Sequence, residues 1–325
     1  MLDLKKGEIV GKRQFGKNTA KVQKTYSQLF EEFMNQLKIK GRAEQTLKSY
    51  KHHSKYFMDF LKKDINCDEI TLSTLNDYII YIKEVKNITN GTTINSYLRN
   101  ISPVLKYGIK KGYILEEFEM PVVKYQETFK EIYTVNELND LLNKPSKRDF
   151  VTLRTWTIIW TFASTGIRAR ELRELRIKNV DLLNRTIIVN QTKNKKARIL
   201  PISSSFLEVL EEYLSVRNGE GEDYLFCSVF NECLAMSSLQ KAVKNYCNER
   251  GIEKTSLHLF RHTFITNAVN KNVSPLILQR ITGHSTMKEL SRYYNAKTID
   301  MVDVIDEIAP CSNKKENYFK KNKNK

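Results

Sequence analysis

Six apolar residues between positions 26 and 37 constrain this chain most. Tyr26, Leu29, Phe30, Phe33, Met34 and Leu37 recur at i, i+3, i+4, i+7, i+8 and i+11. That period places all six on one face of a helix, and Gly41 marks its end. One amphipathic helix must bury its stripe against another element. The next stretches supply partners. Leu47, Tyr50, Phe57, Phe60 and Leu61 form a second stripe, Leu72, Leu75, Tyr78, Ile79 and Ile82 a third, and Ile94, Leu98, Ile101 and Leu105 a fourth. Pro103 lies inside the fourth pattern and is expected to kink or shorten that helix. Four helices with short joins predict an all-α N-terminal domain over residues 23–122.

Residues 121–130 lack a helical period, and 123–130 read as a linker. A second domain is expected over 131–310, with helices near 135–142 and 150–164. The only clear β signal follows: a β-branched run at 186–189, a lysine-rich turn at 192–196 and a return strand at 197–202. Residues 224–227 are expected to add a short strand. Helices then dominate to about 308. The expected class is mainly α with a small antiparallel hairpin or sheet in the second domain.

The formal net charge is +17. Such a balance calls for an anionic partner, nucleic acid first and an anionic membrane surface second. Residues 1–22 carry six Lys/Arg against two acids and read as a flexible basic arm. Residues 311–325 carry six Lys and one Glu, a Lys/Asn tail. Removing the tail's +5 still leaves +12, so the charge is not confined to it. A mean hydropathy of −0.48 and the lack of an 18-residue apolar run argue against a membrane protein. The N-terminus has no apolar segment of a secretory signal. The five cysteines (Cys67, Cys227, Cys233, Cys247, Cys311) form no CxxC pair, and the five histidines form no HExxH. Neither a disulfide framework nor a metal site is expected, and a reducing cytoplasm fits.

Four short segments can carry chemistry. In Thr165-Gly166-Ile167-Arg168, a glycine stops one helix and an arginine opens the next, a turn that can present a guanidinium and backbone N–H groups to a phosphate. Lys193 sits at the tip of the expected hairpin, where a lysine can reach a phosphate. His258 and Arg261 lie at i and i+3 on one helix face. Gly283-His284 ends another helix, and Tyr293-Tyr294 follow. A tyrosine hydroxyl can act as a covalent nucleophile. Taken singly, a solvated arginine, a charged turn and aromatic packing account for Arg168, Lys193 and the tyrosines better than chemistry does, and His258 and Arg261 also fit an ordinary polar helix face.

Their order is more specific than any one of them. Arg168 in TGIRAREL, Lys193 in QTKNKKARILPI, His258 and Arg261 in HLFRHT, His284 in TGHS and Tyr293 in RYYN resemble the tyrosine recombinase (phage integrase) family. The resemblance covers about residues 127–310, and the helical N-terminal region resembles that family's core-binding domain. It implies that Tyr293 attacks the scissile phosphate and forms a 3′-phosphotyrosyl link to duplex DNA. It implies that Arg168 and Arg261 clamp the nonbridging oxygens and that Lys193 protonates the leaving 5′ oxygen. His258 and His284 would hydrogen-bond the phosphate and the attacking group, and Glu171 would be the supporting acid. A partner strand's 5′-hydroxyl then attacks the phosphotyrosine, so no ATP, metal or other cofactor is called for. The family's leucine between His258 and Arg261 is Phe260 here. Tyr293 stands nine residues after His284, the common spacing, whereas a spacing of ten would select Tyr294. His262 reads as a structural neighbour.

The resemblance further implies a homo-tetramer on two DNA sites, and an accessory directionality factor is possible. It implies a C-shaped clamp around the core site and a docking helix at 298–308. A bacterial or phage and mobile-element setting in the cytoplasm follows. Two rival readings keep the same charge and helices: a DNA-binding accessory protein without catalysis, and a type IB topoisomerase that relaxes supercoils. The first has no use for a complete set of site residues. The second differs in its product, because relaxation needs no paired sites.

Overall fold

The computed structural model describes residues 23–125, 131–190, 197–291 and 293–294. Lys193 with the hairpin turn, the 298–308 helix, the N-terminal arm and the Lys/Asn tail lie outside the described residues. The chain divides into two compact units between Thr128 and Phe129.

The first unit holds α1 (Tyr26–Ile39), α2 (Glu44–Leu61), α3 (Leu72–Glu84) and α4 (Gly91–Lys111), with a 3-10 turn at Cys67–Glu69. Thr25 caps α1 in a reciprocal box with Gln28. Tyr26, Leu29, Phe33 and Met34 of the first stripe are buried. Each contributes roughly 1.5–3 kcal/mol by leaving water. They pack around Phe57, Tyr78, Leu98, Ile101 and Leu105. Phe57 meets Tyr26 and Tyr78 edge-on, with ring centroids 5.0 and 4.9 Å apart. Pro103 does not shorten α4, which runs 21 residues through it. The burial of Ile101, Val104 and Leu105 on both sides holds the helix together where one backbone bond is missing. Beyond α4, Asn95 pins the extended segment by accepting from the Val123 N–H at 2.9 Å and donating to its carbonyl at 2.8 Å.

The second unit is built on α6 (Phe150–Thr165), which packs against α5 (Val135–Leu142), α8 (Ser204–Arg217), α9 (Met236–Asn248) and α10 (Leu257–Asn270). Its buried threonines satisfy themselves: Thr157, Thr161 and Thr165 each donate to the carbonyl four residues back. Between α7 (Ala169–Glu174) and α8 lies one antiparallel sheet, ordered β1 (Val180–Asp181), β2 (Thr186–Val189) and β3 (Arg198–Pro201). Ile187 opposite Leu200 faces the core, while Ile188 opposite Ile199 faces out. The expected strand at 224–227 is instead a pair of isolated bridges, Arg176–Tyr224 and Cys227–Cys233. The third strand comes from 180–181, because a tight turn after Asp181 brings it beside β2. α11 (Pro275–Thr282) and α12 (Met287–Ser291) complete the unit.

Candidate active site

Two glycines set the entrances to the site. Gly166 closes α6 in the left-handed region at φ +60°, and Gly283 closes α11 at φ +67°. A Cβ on Gly166 would come within 2.5 Å of the Phe264 ring, so the α6–α10 contact also requires glycine there. Arg168 then caps α7, and His284 follows Gly283 directly.

Glu171 is the anchor. Its carboxylate accepts from both Arg198 guanidinium NH groups at 2.9 and 2.7 Å, from Arg168 Nη1 at 3.1 Å and from the Arg168 backbone N–H at 3.0 Å. Each oxygen therefore takes two hydrogens, which fills the capacity of an ionised carboxylate. Burial alone would raise the carboxyl's pKa. The Arg198 and Arg168 contacts outweigh it and hold the group below its ordinary value.

The arginines converge on the turn that ends α11. Arg168 donates to Thr282 O at 3.4 Å and Gly283 O at 3.0 Å. Arg261, on α10, donates to the same Thr282 carbonyl at 2.9 Å and to Gly166 O at 2.7 Å. Arg198 Nε reaches Ile281 O at 2.9 Å. Burial, and then the neighbouring Arg168, push Arg261 down to about 10, which leaves it charged at neutral pH. Three guanidiniums face one carboxylate, so these four groups carry two excess positive charges. A phosphodiester in transfer carries its charge on nonbridging oxygens and answers that excess.

His284 is oriented by its neighbours. The Thr282 hydroxyl donates to Leu278 O at 2.6 Å, so at 2.8 Å from His284 Nδ1 it accepts from the ring. The proton then sits on Nδ1, and Nε2 accepts from Arg261 Nη2 at 3.1 Å. Replacing Thr282 with valine keeps the shape and removes this orientation. DNA cleavage by Thr282→Val is expected to fall about tenfold, the equivalent of one hydrogen bond, in single-turnover assays with binding intact.

The two tyrosines lie beyond the end of α12. Their N–H groups bond to Leu290 O and Ser291 O. The Tyr293 hydroxyl meets His262 Nδ1 at 2.6 Å, and Tyr293 is close enough to bear on the Arg261 charge. The Tyr294 hydroxyl instead donates to Val273 O at 2.9 Å, and burial raises its pKa. His258 is exposed on the first turn of α10, three residues before Arg261.

The sequence reading did not single out Arg198 and Thr282, which contact Glu171 and His284, and His262 lies against the Tyr293 hydroxyl. Arg198 carried a usable signal: in a two-residue strand period it shares the inward face of Leu200, and an inward arginine must be paired. Among the described residues, no group of three His, Cys, Asp or Glu could hold a metal, and no helix is long and apolar enough to cross a membrane.

Three arginines thus gather with one carboxylate at the turn that ends α11, on a helical unit that follows a helical N-terminal unit in sequence. A match to the phage integrase family covers residues 131–299, more than half of the chain, and a match to the phage integrase SAM-like domain covers 25–126. The chain belongs to the phage integrase family. It is 25% identical over 296 residues to tyrosine recombinase XerC of Thermodesulfovibrio yellowstonii, covering 87% of this chain and 97% of that one. It is 23% identical over 278 residues to the TnP I resolvase of Bacillus thuringiensis, covering 83% and 96%. In fold it is similar to the Tn1549 transposon integrase in complex with transposon right-end DNA, with a TM-score of 0.72 at 20% identity, covering 88% of this chain and all of that one.

Proposed function

We propose that this site-specific DNA recombinase cuts duplex DNA through Tyr293 and holds the scissile phosphate between Arg168 and Arg261. The observation that carries the reading is the shared Thr282 carbonyl, which brings both guanidiniums to one turn beside His284. Attack by the phenol forms the Tyr293–phosphorus bond and breaks the bond to the 5′ oxygen. The arginines take up the charge on the nonbridging oxygens. Glu171 and Arg198 keep Arg168 aimed from beneath. His258 and His284 hydrogen-bond the phosphate and the attacking group, His284 once a proton on Nε2 replaces its contact with Arg261, and Lys193 supplies the leaving group's proton. The geometry of the Tyr294 hydroxyl, committed to Val273 O, favours Tyr293 as nucleophile.

The domain plan proposed with it is a basic arm (1–22), a core-binding domain (23–122), a linker (123–130), a catalytic domain (131–310) and a basic tail (311–325). The assembly is a homo-tetramer on two core sites, working in the cytoplasm on a mobile element's DNA. The resolvase and transposon-integrase relatives support that setting. A nicked core-site duplex, which loses its 5′ fragment on cleavage, should trap a covalent adduct on the full chain. Peptide mapping should find the DNA on Tyr293. Attachment at Tyr294, or no adduct on any site from the host element, would overturn the reading.

A further inference from the structure

We propose that His262 is the general base that takes the Tyr293 phenol proton during cleavage and returns it during rejoining. This rests on Tyr293 being the nucleophile. His262 follows Arg261 on α10, about 100° further round the helix. The two side chains thus divide the work: Arg261 reaches the Gly166 and Thr282 carbonyls, and His262 reaches Tyr293. At 2.6 Å the phenol oxygen and Nδ1 are already at proton-transfer distance. The rings lie 5.6 Å apart, tilted by 38°.

The phenol is held from several directions. Its backbone N–H bonds Leu290 O, and the next residue is tied to Val273 O. Both tyrosines pack on Ile265, Leu278 and Leu290. Transfer from the phenol uses the neutral imidazole in its Nε2–H tautomer, in which the Nδ1 lone pair accepts the phenol's hydrogen.

In the forward step the phenolic oxygen bonds to phosphorus and its proton passes to His262 Nδ1. The phosphorus–5′-oxygen bond breaks, and the 5′ oxygen takes its proton from the general acid, Lys193 in the reading above. In rejoining, a 5′-hydroxyl attacks and gives its proton back to Lys193, the tyrosyl–phosphorus bond breaks, and the imidazolium returns its proton to the phenolate. His262 therefore serves the tyrosine's side of the reaction in both directions, and Lys193 the side of the 5′ oxygen.

The test is single-turnover cleavage of the nicked site by the full chain, on normal DNA and on DNA with a 5′-bridging sulfur. The sulfur leaves without a proton, which isolates the nucleophile's side of the reaction. His262→Ala should cleave about 100-fold more slowly than the parent on both substrates, bind the site normally, and recover partly with added imidazole. His262→Asn keeps an acceptor near the Nδ1 position but cannot carry the proton, and should stay slow. Cleavage by His262→Ala within threefold of the parent overturns the proposal. So does a parental rate in His262→Asn, or a defect that vanishes on the sulfur substrate. Should the alanine variant fail to fold, His262→Gln is read by the same criteria. Tyr293→Phe is run in parallel: an adduct there refutes the nucleophile itself and leaves a different signature from failure of the base.

Discussion

Replacing Arg261 with alanine is expected to slow adduct formation about 10²–10³-fold, the effect of removing one preorganised donor from an anionic transition state. That corresponds to roughly 3–4 kcal/mol of barrier. Site binding should change only a few-fold, because many other cations contact the backbone of a DNA duplex. Arg261→Lys should recover little. A lysine has a point charge where the site uses a planar fork, and this fork already spans Gly166 O, Thr282 O and His284. The measurement is single-turnover cleavage beside a binding isotherm. Cleavage by Arg261→Ala within threefold of the parent would remove Arg261 from the phosphate site.

The largest stability effect is expected at Glu171. It is 4% exposed and meets two guanidiniums, of which Arg198 is itself buried. Glu171→Leu leaves Arg198 charged in the interior without its partner, a change that costs about 3–5 kcal/mol. The variant should melt many degrees lower and lose cleavage, because Arg168 loses its support. Arg198→Met combined with Glu171→Leu removes both charges and should recover most of the melting temperature. Failure of that recovery would show that the pair does not interact as drawn. The pH dependence follows with a definite sign. The folded carboxyl lies below its ordinary 4.5. Its contribution is therefore complete above about pH 4.5 and is lost as pH falls through the folded value. Urea midpoints measured from pH 7 downward should drop in this window for the parent and drop less for Glu171→Leu.

Helix stripes were legible because burial follows a 3.6-residue period that any neighbour satisfies. Tyr26, Leu29 and Phe33 are buried as their spacing required, as are Leu98, Ile101 and Leu105. The β2–β3 pairing was legible for the same local reason. The partner of β2 on its other edge was not. The run at 224–227 is apolar like a strand, yet Leu225, Phe226 and Cys227 are buried through packing, and two residues at 180–181 pair instead. Pro103 shows the same limit: local chemistry predicts a break, and the flanking buried residues prevent it.

The order of Arg168, His258, Arg261, His284 and Tyr293 is a property of the chain itself. It sufficed for the resemblance to the phage integrase family, which the family match over residues 131–299 bears out. Which atoms they use was decided by the fold. His262 and Arg261 are adjacent letters, but only the helix turn sends one to the carbonyls and the other to the phenol. Arg198 reads as one more cation in a basic turn until β3 carries it inward to Glu171, 27 residues earlier in the chain. Side-chain type and local period are written residue by residue. Long-range hydrogen bonds depend on how distant segments close on one another, and that closure belongs to the tertiary structure alone.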